Sequence, residues 1–419
     1  MIADLHRPLD PIQQVGGGSV EPHSSSSCNV TVLTGGSDKP YVIGLTSALT
    51  SQGVRYELIG SNELNVPELI NNHGVKFLNL RGDQNPSARL ASKVARILTY
   101  YWRLICYAVT AKPKVFHILW NNKFELLDRT LLTLYYKVVG KRVVLTAHNL
   151  NIRKRDGTDS WLNRLSLRIQ YRLADHIFVH TQGMKKELTA EFGVQDGNVS
   201  VIPFGINNTV PNTRMTTDEA RQALGISTKE KVLLCYGQIA PYKGLEYLVA
   251  AFAQLLDEDI TYRLIIAGKP KRNEIYWKRI KGLISDRDVQ ERVIERIEHV
   301  PDEETEIYFK AADVLVLPYV SVFQSGVIFL AYSFGLPVIA TDVGSLKEQI
   351  IEGETGFVSK PQDSANLAAA IDKYFHSELF RSLESRRPEI KTFANERYSW
   401  DKVAATTKAI YLNLLTSDL

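Results

Sequence analysis

The sequence predicts an α/β protein built as two doubly wound domains that face each other across a cleft. Three observations lead there. Short β-rich runs alternate with helix-period segments in two successive series, the pattern of parallel βαβ units. The 419 residues exceed what one ordinary core holds. Between the two series, after Ile202-Pro203-Phe204-Gly205, the chain turns rich in Asn, Thr and Pro, as a linker does.

Taken in order, residues 1–28 carry Pro, Gln, Gly and four consecutive serines and are expected to form a disordered tail. They lack the apolar core of a signal peptide, and no run in the chain has membrane-spanning length. The first domain, 29–205, takes its strands from 29–33, 55–59, 75–80, 115–119, 142–147 and 176–180, with helices such as 41–52 and 161–173 between them. A linker is expected over 206–230. The second domain, 231–395, repeats the plan with strands at 232–236, 263–267, 293–298, 314–317 and 338–341. Its helices begin near Leu245, Glu274, Glu303, Ser325 and Ser364. A last helix within 396–419 lies beyond this series, in a position to cross back. Open parallel sheets bind ligands outside the carboxyl ends of their strands, so the cleft between the domains is the expected site.

Lys and Arg number 50 against 46 Asp and Glu, a net charge of +4 that gives no footing for a nucleic-acid partner. Of three widely spaced cysteines, Cys106 and Cys235 lie in apolar runs where a thiol packs as a small hydrophobe, which fits a reducing, cytoplasmic setting. Glycosylation triplets at Asn29, Asn198 and Asn207 read as accidental, the first two sitting at the starts of buried strands. The segment 87–111 spaces Leu90, Val94, Ile97, Leu98, Tyr101, Leu104 and Ile105 as one helical face, with Arg89, Lys93, Arg96 and Arg103 among them. Two readings fit: a core helix whose cations snorkel at its margin, or a helix lying on an anionic membrane surface.

The stretch 311–346 sets two apolar strands around a helix that begins at Gln324, Ser325 and Gly326. Backbone N–H groups at a helix start form an anion site, although a serine there also serves as a plain N-cap. The segment from Gly237 to Gly244 follows the second domain's first strand and puts Gln238 and Lys243 on a loop at its carboxyl end. A lysine in that place holds a phosphate as a point charge. Thr34-Gly35-Gly36-Ser37 takes the corresponding place in the first domain and serves equally as a tight turn. His117 and His148 fall at strand ends. His148 leaves its strand with Asn149 and enters the basic loop Arg153-Lys154-Arg155, suited either to solvent or to an anionic acceptor. No metal site is expected, because Asp257-Glu258-Asp259 lies in a helix-to-strand connection without further ligands and no zinc-hydrolase or serine-hydrolase motif occurs.

Together these features resemble the retaining glycosyltransferases of family 4, over about residues 29–415. The resemblance rests on Gly35-Gly36 after the first strand, the Lys243-Gly244 turn, the run Ala312 to Pro318, and Gly335-Leu336-Pro337-Val338 through Gly344. It implies a GT-B fold of two Rossmann-like domains, a nucleotide-sugar donor held mainly by the second, and a glycan or lipid-linked acceptor held mainly by the first. It further implies that the last helix crosses back and that no cofactor or metal takes part. By the same resemblance Lys243 sits on the donor phosphates, Gly36 lies near donor or acceptor, and Val300 begins the base pocket. His148 matches the histidine after the first-domain strand, and Lys243 and His148 are expected to be catalytic.

Two departures stand out. Gln238 replaces an arginine, which removes a fixed charge from the diphosphate site. Alignment on Gly335-Leu336-Pro337-Val338 puts the family's two glutamates at Val322 and Leu330, neither of which can accept a hydrogen bond. The Gln-Ser-Gly-Val run resembles a recurring variant, which implies that Gln324, Ser325, Gly326 and Val327 hold the donor instead. His117, Asn149, Arg153 and Arg155 are the expected acceptor-side contacts. The expected function is sugar transfer with retention, in the cytoplasm, with peripheral contact at the inner face of an anionic membrane. Two alternatives fit the same residues: a catalytically weakened GT-B binding module, suggested by Val322, Leu330 and Gln238, and a nucleotide-sugar epimerase, which needs acid and base carboxylates in the cleft.

Overall fold

A computed structural model of the protein describes residues 30–35, 38–70, 74–85, 87–155, 157–270 and 273–416. The tail expected over 1–28 lies outside the described residues, as does Gly36.

Two sheets, each parallel throughout, organise the described residues. The first runs in the order β3-β2-β1-β4-β5-β6-β7, from β1 (Val30–Leu33), β2 (Tyr56–Ile59), β3 (Val75–Leu78), β4 (Val115–Ile118), β5 (Arg142–Thr146), β6 (His176–Val179) and β7 (Val199–Val201). The second runs β10-β9-β8-β11-β12-β13, from β8 (Lys231–Tyr236), β9 (Tyr262–Ala267), β10 (Val293–Arg296), β11 (Val314–Leu317), β12 (Val338–Thr341) and β13 (Gly356–Ser359). Every residue of β1, β11 and β12 is buried, because helices cover both faces of a doubly wound sheet and leave no polar side to alternate with. The edge strand β13 is absent from the sequence reading. Its opening glycine, at φ +155°, and its closing serine leave only Phe357 and Val358 as β formers.

The segment read as a linker is in part a piece of the second domain. Thr216 and Glu219 close a reciprocal capping box at the start of the helix Thr217–Ala223. From that helix the Arg221 guanidinium donates to Asp313 at 2.7 Å and to the Ala311 carbonyl at 3.1 Å, and the second oxygen of Asp313 accepts from the Val232 N–H at 2.7 Å. This buried pair ties the segment to the starts of β8 and β11. Removing one partner would leave a buried charge unmatched, at a cost of about 3–5 kcal/mol.

The helix Trp400–Thr416 packs along the helix Lys39–Ser51 of the first domain. Lys408 Nζ donates to the Gln52 carbonyl at 2.7 Å, and the Gln52 side chain donates to the Asp401 carbonyl at 2.8 Å. Trp400 stands where the two domains meet. Its Nε1 donates to the Ile206 carbonyl at 2.9 Å, and its ring lies against Gly44 and Gly205, where a Cβ would fall 2.1 and 2.2 Å from ring atoms. Only glycine leaves that space.

The helix Leu90–Thr110 departs from the single apolar face read in the sequence. Tyr100, Tyr101, Leu104 and Ala108 are buried against the first sheet with Ile97 packed beside them, whereas Leu90, Val94, Leu98 and Ile105 are exposed. Cys106 is exposed on the same helix rather than packed; Cys235 is buried.

Candidate functional site

Three neighbouring cavities that share lining residues follow the cleft. The central one, about 410 Å³, is bounded by Tyr41 and Asn149 from the first domain, by Lys243, Tyr319 and the run Gln324 to Val327 from the second, and by Phe204, Gly205 and Trp400 where the domains meet. A cavity of about 630 Å³ on the second-domain side shares Asn207, Gln238 and Leu330 with it. A cavity of about 190 Å³ on the first-domain side shares Asn149.

Glycine geometry brings the second-domain loops together. Gly237 follows β8 at φ +98°, and Gly268 follows β9 so closely that a Cβ would lie 2.0 Å from the Gly237 carbonyl oxygen. Gly244, at φ +64°, has the Pro318 carbonyl oxygen 2.2 Å from its Cβ position. These contacts fold Lys243 inward until it is buried, its Nζ donating to the Tyr236 carbonyl at 3.2 Å and standing 5.2 Å from the centre of the Tyr319 ring.

Opposite it begins the helix Gly326–Ser333. Ser325, in extended conformation, caps none of the helix's N–H groups with its side chain; its hydroxyl meets the Tyr319 hydroxyl at 3.2 Å. The plain N-cap reading therefore fails here. The unused N–H groups belong to residues that line the central cavity, which is how a helix start receives an anion. Gln324 Oε1 is buried with no hydrogen-bond partner, a second polar atom awaiting one. The loop is held from behind: Ser345 donates to the Phe323 carbonyl from both its N–H and its hydroxyl at 2.9 Å, and Gly344, at φ +56°, lies against the Val322 carbonyl. Val322 and Leu330 are buried and line the same cavity. Val300 is buried in the wall of the 630 Å³ cavity beside His299.

On the first-domain side His148 stacks on Trp120 with ring centres 4.0 Å apart and planes 9° from parallel. Its Nδ1 lies 2.9 Å from His180 Nε2, and its buried Nε2 has no hydrogen-bond partner. Burial, then the neighbouring His180 and His117, push its pKa well below the usual imidazole range, so it is neutral. Asn149 lines both the central and first-domain cavities. Arg153 lines the latter and pairs with Glu125 at 3.5 Å. The Arg155 side chain lies outside the described residues.

His117 does not reach the cleft. It is fully enclosed, its Nδ1 2.5 Å from the Tyr411 hydroxyl and its Nε2 2.7 Å from the Thr146 hydroxyl, so it joins the crossing helix to the first sheet instead of facing an acceptor. Tyr41, Tyr319 and Trp400 line the cavity without having been singled out in the sequence, where single aromatic residues carry no spacing signal, and Asn207, which also lines it, stood out there only as an accidental glycosylation triplet. Glu298 and Asp302, which line the 630 Å³ cavity, escaped for the same reason.

The buried histidines set a pH dependence. Burial lowers His117 to about 3 and both His176 and His180 to about 4. Each stays neutral in the fold while the unfolded chain takes up a proton below about pH 6.5, so its stabilisation is complete above that pH and is lost as pH falls toward the folded pKa. The slope is about 1.4 kcal/mol per pH unit per histidine. Asp128, raised by burial to about 6, runs the opposite way and offsets about one of them. The thermal midpoint is expected to drop between pH 6.5 and 5, before ordinary carboxylates titrate; a flat midpoint over that window would contradict this.

A larger, open hollow of about 1060 Å³ lies away from the cleft, lined by Arg221, Lys310, Asp313 and Arg387. Its charges are largely engaged, Arg221 with Asp313 and Lys310 with Glu306. Among the described residues no group of three or more His, Cys, Asp or Glu is placed to hold a metal ion.

Comparison with known proteins places this geometry. Residues 40–210 match the family described as Glycosyltransferase Family 4, and residues 216–392 match Glycosyl transferases group 1. A D-inositol 3-phosphate glycosyltransferase of Corynebacterium urealyticum is 26% identical over 250 residues, 58% of each chain, and that of Corynebacterium efficiens is 26% identical over 286 residues, 66% of each. The chain thus spans about three fifths of the length of the curated relatives it matches. Among solved structures, a sucrose-phosphate synthase from Thermosynechococcus elongatus superposes with a TM-score of 0.73 at 21% identity, covering 93% of this chain and 99% of that one. Six of the seven strands of the first sheet fall within the family 4 match and all six strands of the second sheet within the group 1 match, so the chain pairs a Glycosyltransferase Family 4 domain with a Glycosyl transferases group 1 domain, on the GT-B fold.

Proposed function

We propose that the protein transfers a sugar from a nucleotide-sugar donor to a hydroxyl of a glycan or lipid-linked glycan, with retention of configuration and without a metal ion. The observation that carries this reading is the convergence of Lys243 and the uncapped start of the helix Gly326–Ser333 on one cavity. The donor's diphosphate lies between them, with Gln324 and Ser325 as further contacts and the base in the cavity lined by Val300 and Gln238. The acceptor hydroxyl attacks the anomeric carbon from the side on which the diphosphate departs. The bond from that carbon to the phosphate oxygen breaks, and the acceptor's proton passes to the departing oxygen. Lys243 and the helix N–H groups take up the charge that develops there. His148, neutral and with Nε2 unpartnered, accepts a hydrogen bond from a sugar hydroxyl. The similarity to an Anabaena protein solved with UDP-glucose, at a TM-score of 0.70 and 16% identity over 91% of this chain and 99% of that one, agrees with such a donor at the level of the fold.

A panel of nucleotide sugars, read by thermal shift and by product anomer, tests the proposal. A donor at one hundred times its Kd adds about 2.7 kcal/mol of apparent stability. At least one member is expected to shift the midpoint and to give a product with the donor's anomeric configuration; an inverted product, or a panel without any shift, would sink the reading. Binding without turnover would favour a binding module, the second reading, for which Val322 and Leu330 in the cavity wall speak. The same proposal sets the protein in the cytoplasm, in peripheral contact with the inner face of an anionic membrane. No helix of the described residues is long and apolar enough to cross a membrane.

A further inference from the structure

Charge is distributed very unevenly along the chain. Residues 84–174 contain 17 Lys and Arg against four Asp and Glu, whereas the rest holds 33 against 42. The same region carries 15 of the 18 large apolar side chains that stand exposed among the described residues, all between Leu90 and Leu165. Isolated exposed apolar residues need no explanation, but a cluster of this kind on a basic background does.

The cluster forms one face. The helices Leu90–Thr110, Thr133–Val138 and Trp161–Leu173 follow β3, β4 and β5 and bury their inner sides in one core against the first sheet. The first two touch directly, Tyr135 donating to the Ile105 carbonyl at 2.9 Å, and the segment leading into the second touches the other two, Phe124 stacking with Tyr101 at 5.7 Å and Arg129 donating to Asn163 at 2.9 Å. Their outer sides carry Leu98, Trp102, Val138 and Trp161, with Trp102 68% and Trp161 72% exposed, and the turn leading into the second adds Leu131.

At the carboxyl end of β4 this face adjoins a small cavity of about 80 Å³ lined by Arg81, Arg96 and Lys123 together with Tyr100 and Asn122. No carboxylate lines it. Among the described residues none of the three cations is held in an ion pair, and the Arg81 guanidinium rests 5.6 Å above the Tyr100 ring. The loop from Trp120 to Lys123 lines both this cavity and the acceptor-side cavity.

We propose that this face lies on an anionic bilayer, with the apolar side chains in the interfacial layer and the Arg81–Arg96–Lys123 cavity seating the phosphate of a lipid headgroup. The inference deepens the membrane contact of the proposed function by naming the surface and the group it binds. Apolar side chains enter the headgroup boundary while clustered cations attract anionic lipid, and the two act together. A second copy of the chain is a poor occupant, because pairing this face with itself would oppose two basic surfaces.

The test is co-sedimentation of the full chain with vesicles of phosphatidylcholine alone and of an equal mixture with phosphatidylglycerol. Capture by the mixed vesicles is expected to be at least about tenfold stronger, and the triple variant Arg81→Ser, Arg96→Ser, Lys123→Ser is expected to lose roughly 100-fold of it. Leu98→Ser with Trp102→Ser should weaken capture further while leaving the thermal midpoint in place, since both side chains are exposed. Equal capture by both vesicle types, or none, would overturn the proposal. So would thermal protection by inorganic phosphate that the triple variant abolishes in the absence of vesicle capture, which would assign the cavity to a soluble phosphate. Dimerisation that Trp102→Ser reverses, again without capture, would assign the face to a second copy. Nucleotide-sugar stabilisation, read on the same preparations, reports on the transfer reading alone, so anionic capture without it supports this proposal while removing that one.

Discussion

The Lys243→Ala protein is expected to turn over its donor about 10²–10³-fold more slowly than the parent chain. Lys243 is the cation that the loop after β8 folds into the central cavity, and Gln238 supplies no second charge beside it. In the proposed mechanism the lysine and the helix start share the leaving-group charge. The substitution also leaves the Tyr236 carbonyl without one donor, a loss of about 1 kcal/mol of stability. Steady-state kinetics beside a melting curve separate the two effects. A variant that melts like the parent and turns over as fast would show that the diphosphate lies elsewhere.

Trp400→Ala is expected to destabilise the protein by about 3 kcal/mol, the lower end for a large aromatic because the ring is only half-buried. The ring fills the space over Gly44 and Gly205 and touches Tyr41, with centres 5.0 Å apart, and its N–H satisfies the Ile206 carbonyl. Losing it frees the root of the crossing helix, so limited proteolysis should cut after Tyr398 sooner than in the parent. The glycines give an internal control. Gly205→Ala alone should cost about 1–3 kcal/mol by overpacking against the ring, and much less once Trp400 is alanine. Additive costs in that cycle would mean that ring and glycines do not share one site.

Both predictions rest on features legible to different degrees in the sequence. The doubly wound fold was readable because buried parallel strands leave continuous apolar runs, such as Val314–Leu317 and Val338–Thr341. The second-domain lining of the central cavity was readable from position: Lys243 follows a strand end, and Ser325 and Gly326 open a helix. Three things were not. The segment around Arg221 looked like a linker because the residues of a capping box, Thr216 and Glu219, are those of loops as well. His117 looked like a strand-end ligand because sequence does not reveal the Tyr411 hydroxyl brought to it from 294 positions away. The helix Leu90–Thr110 looked one-faced because its outward and inward apolar residues both recur at helical spacing, and only packing divides them. Where a residue's partner is distant in the chain, local pattern carries no trace of it.

The central claim is that Lys243 and the start of the helix Gly326–Ser333 together hold the donor diphosphate. A structure of the chain with a bound nucleoside diphosphate tests it most directly. The account predicts phosphate oxygens within about 2.7–3.2 Å of Lys243 Nζ and of the N–H groups of Gly326 or Val327, with the base beside Val300. A diphosphate in the hollow lined by Arg221 and Arg387, or in the cleft but bonded to neither Lys243 nor the helix start, would contradict it.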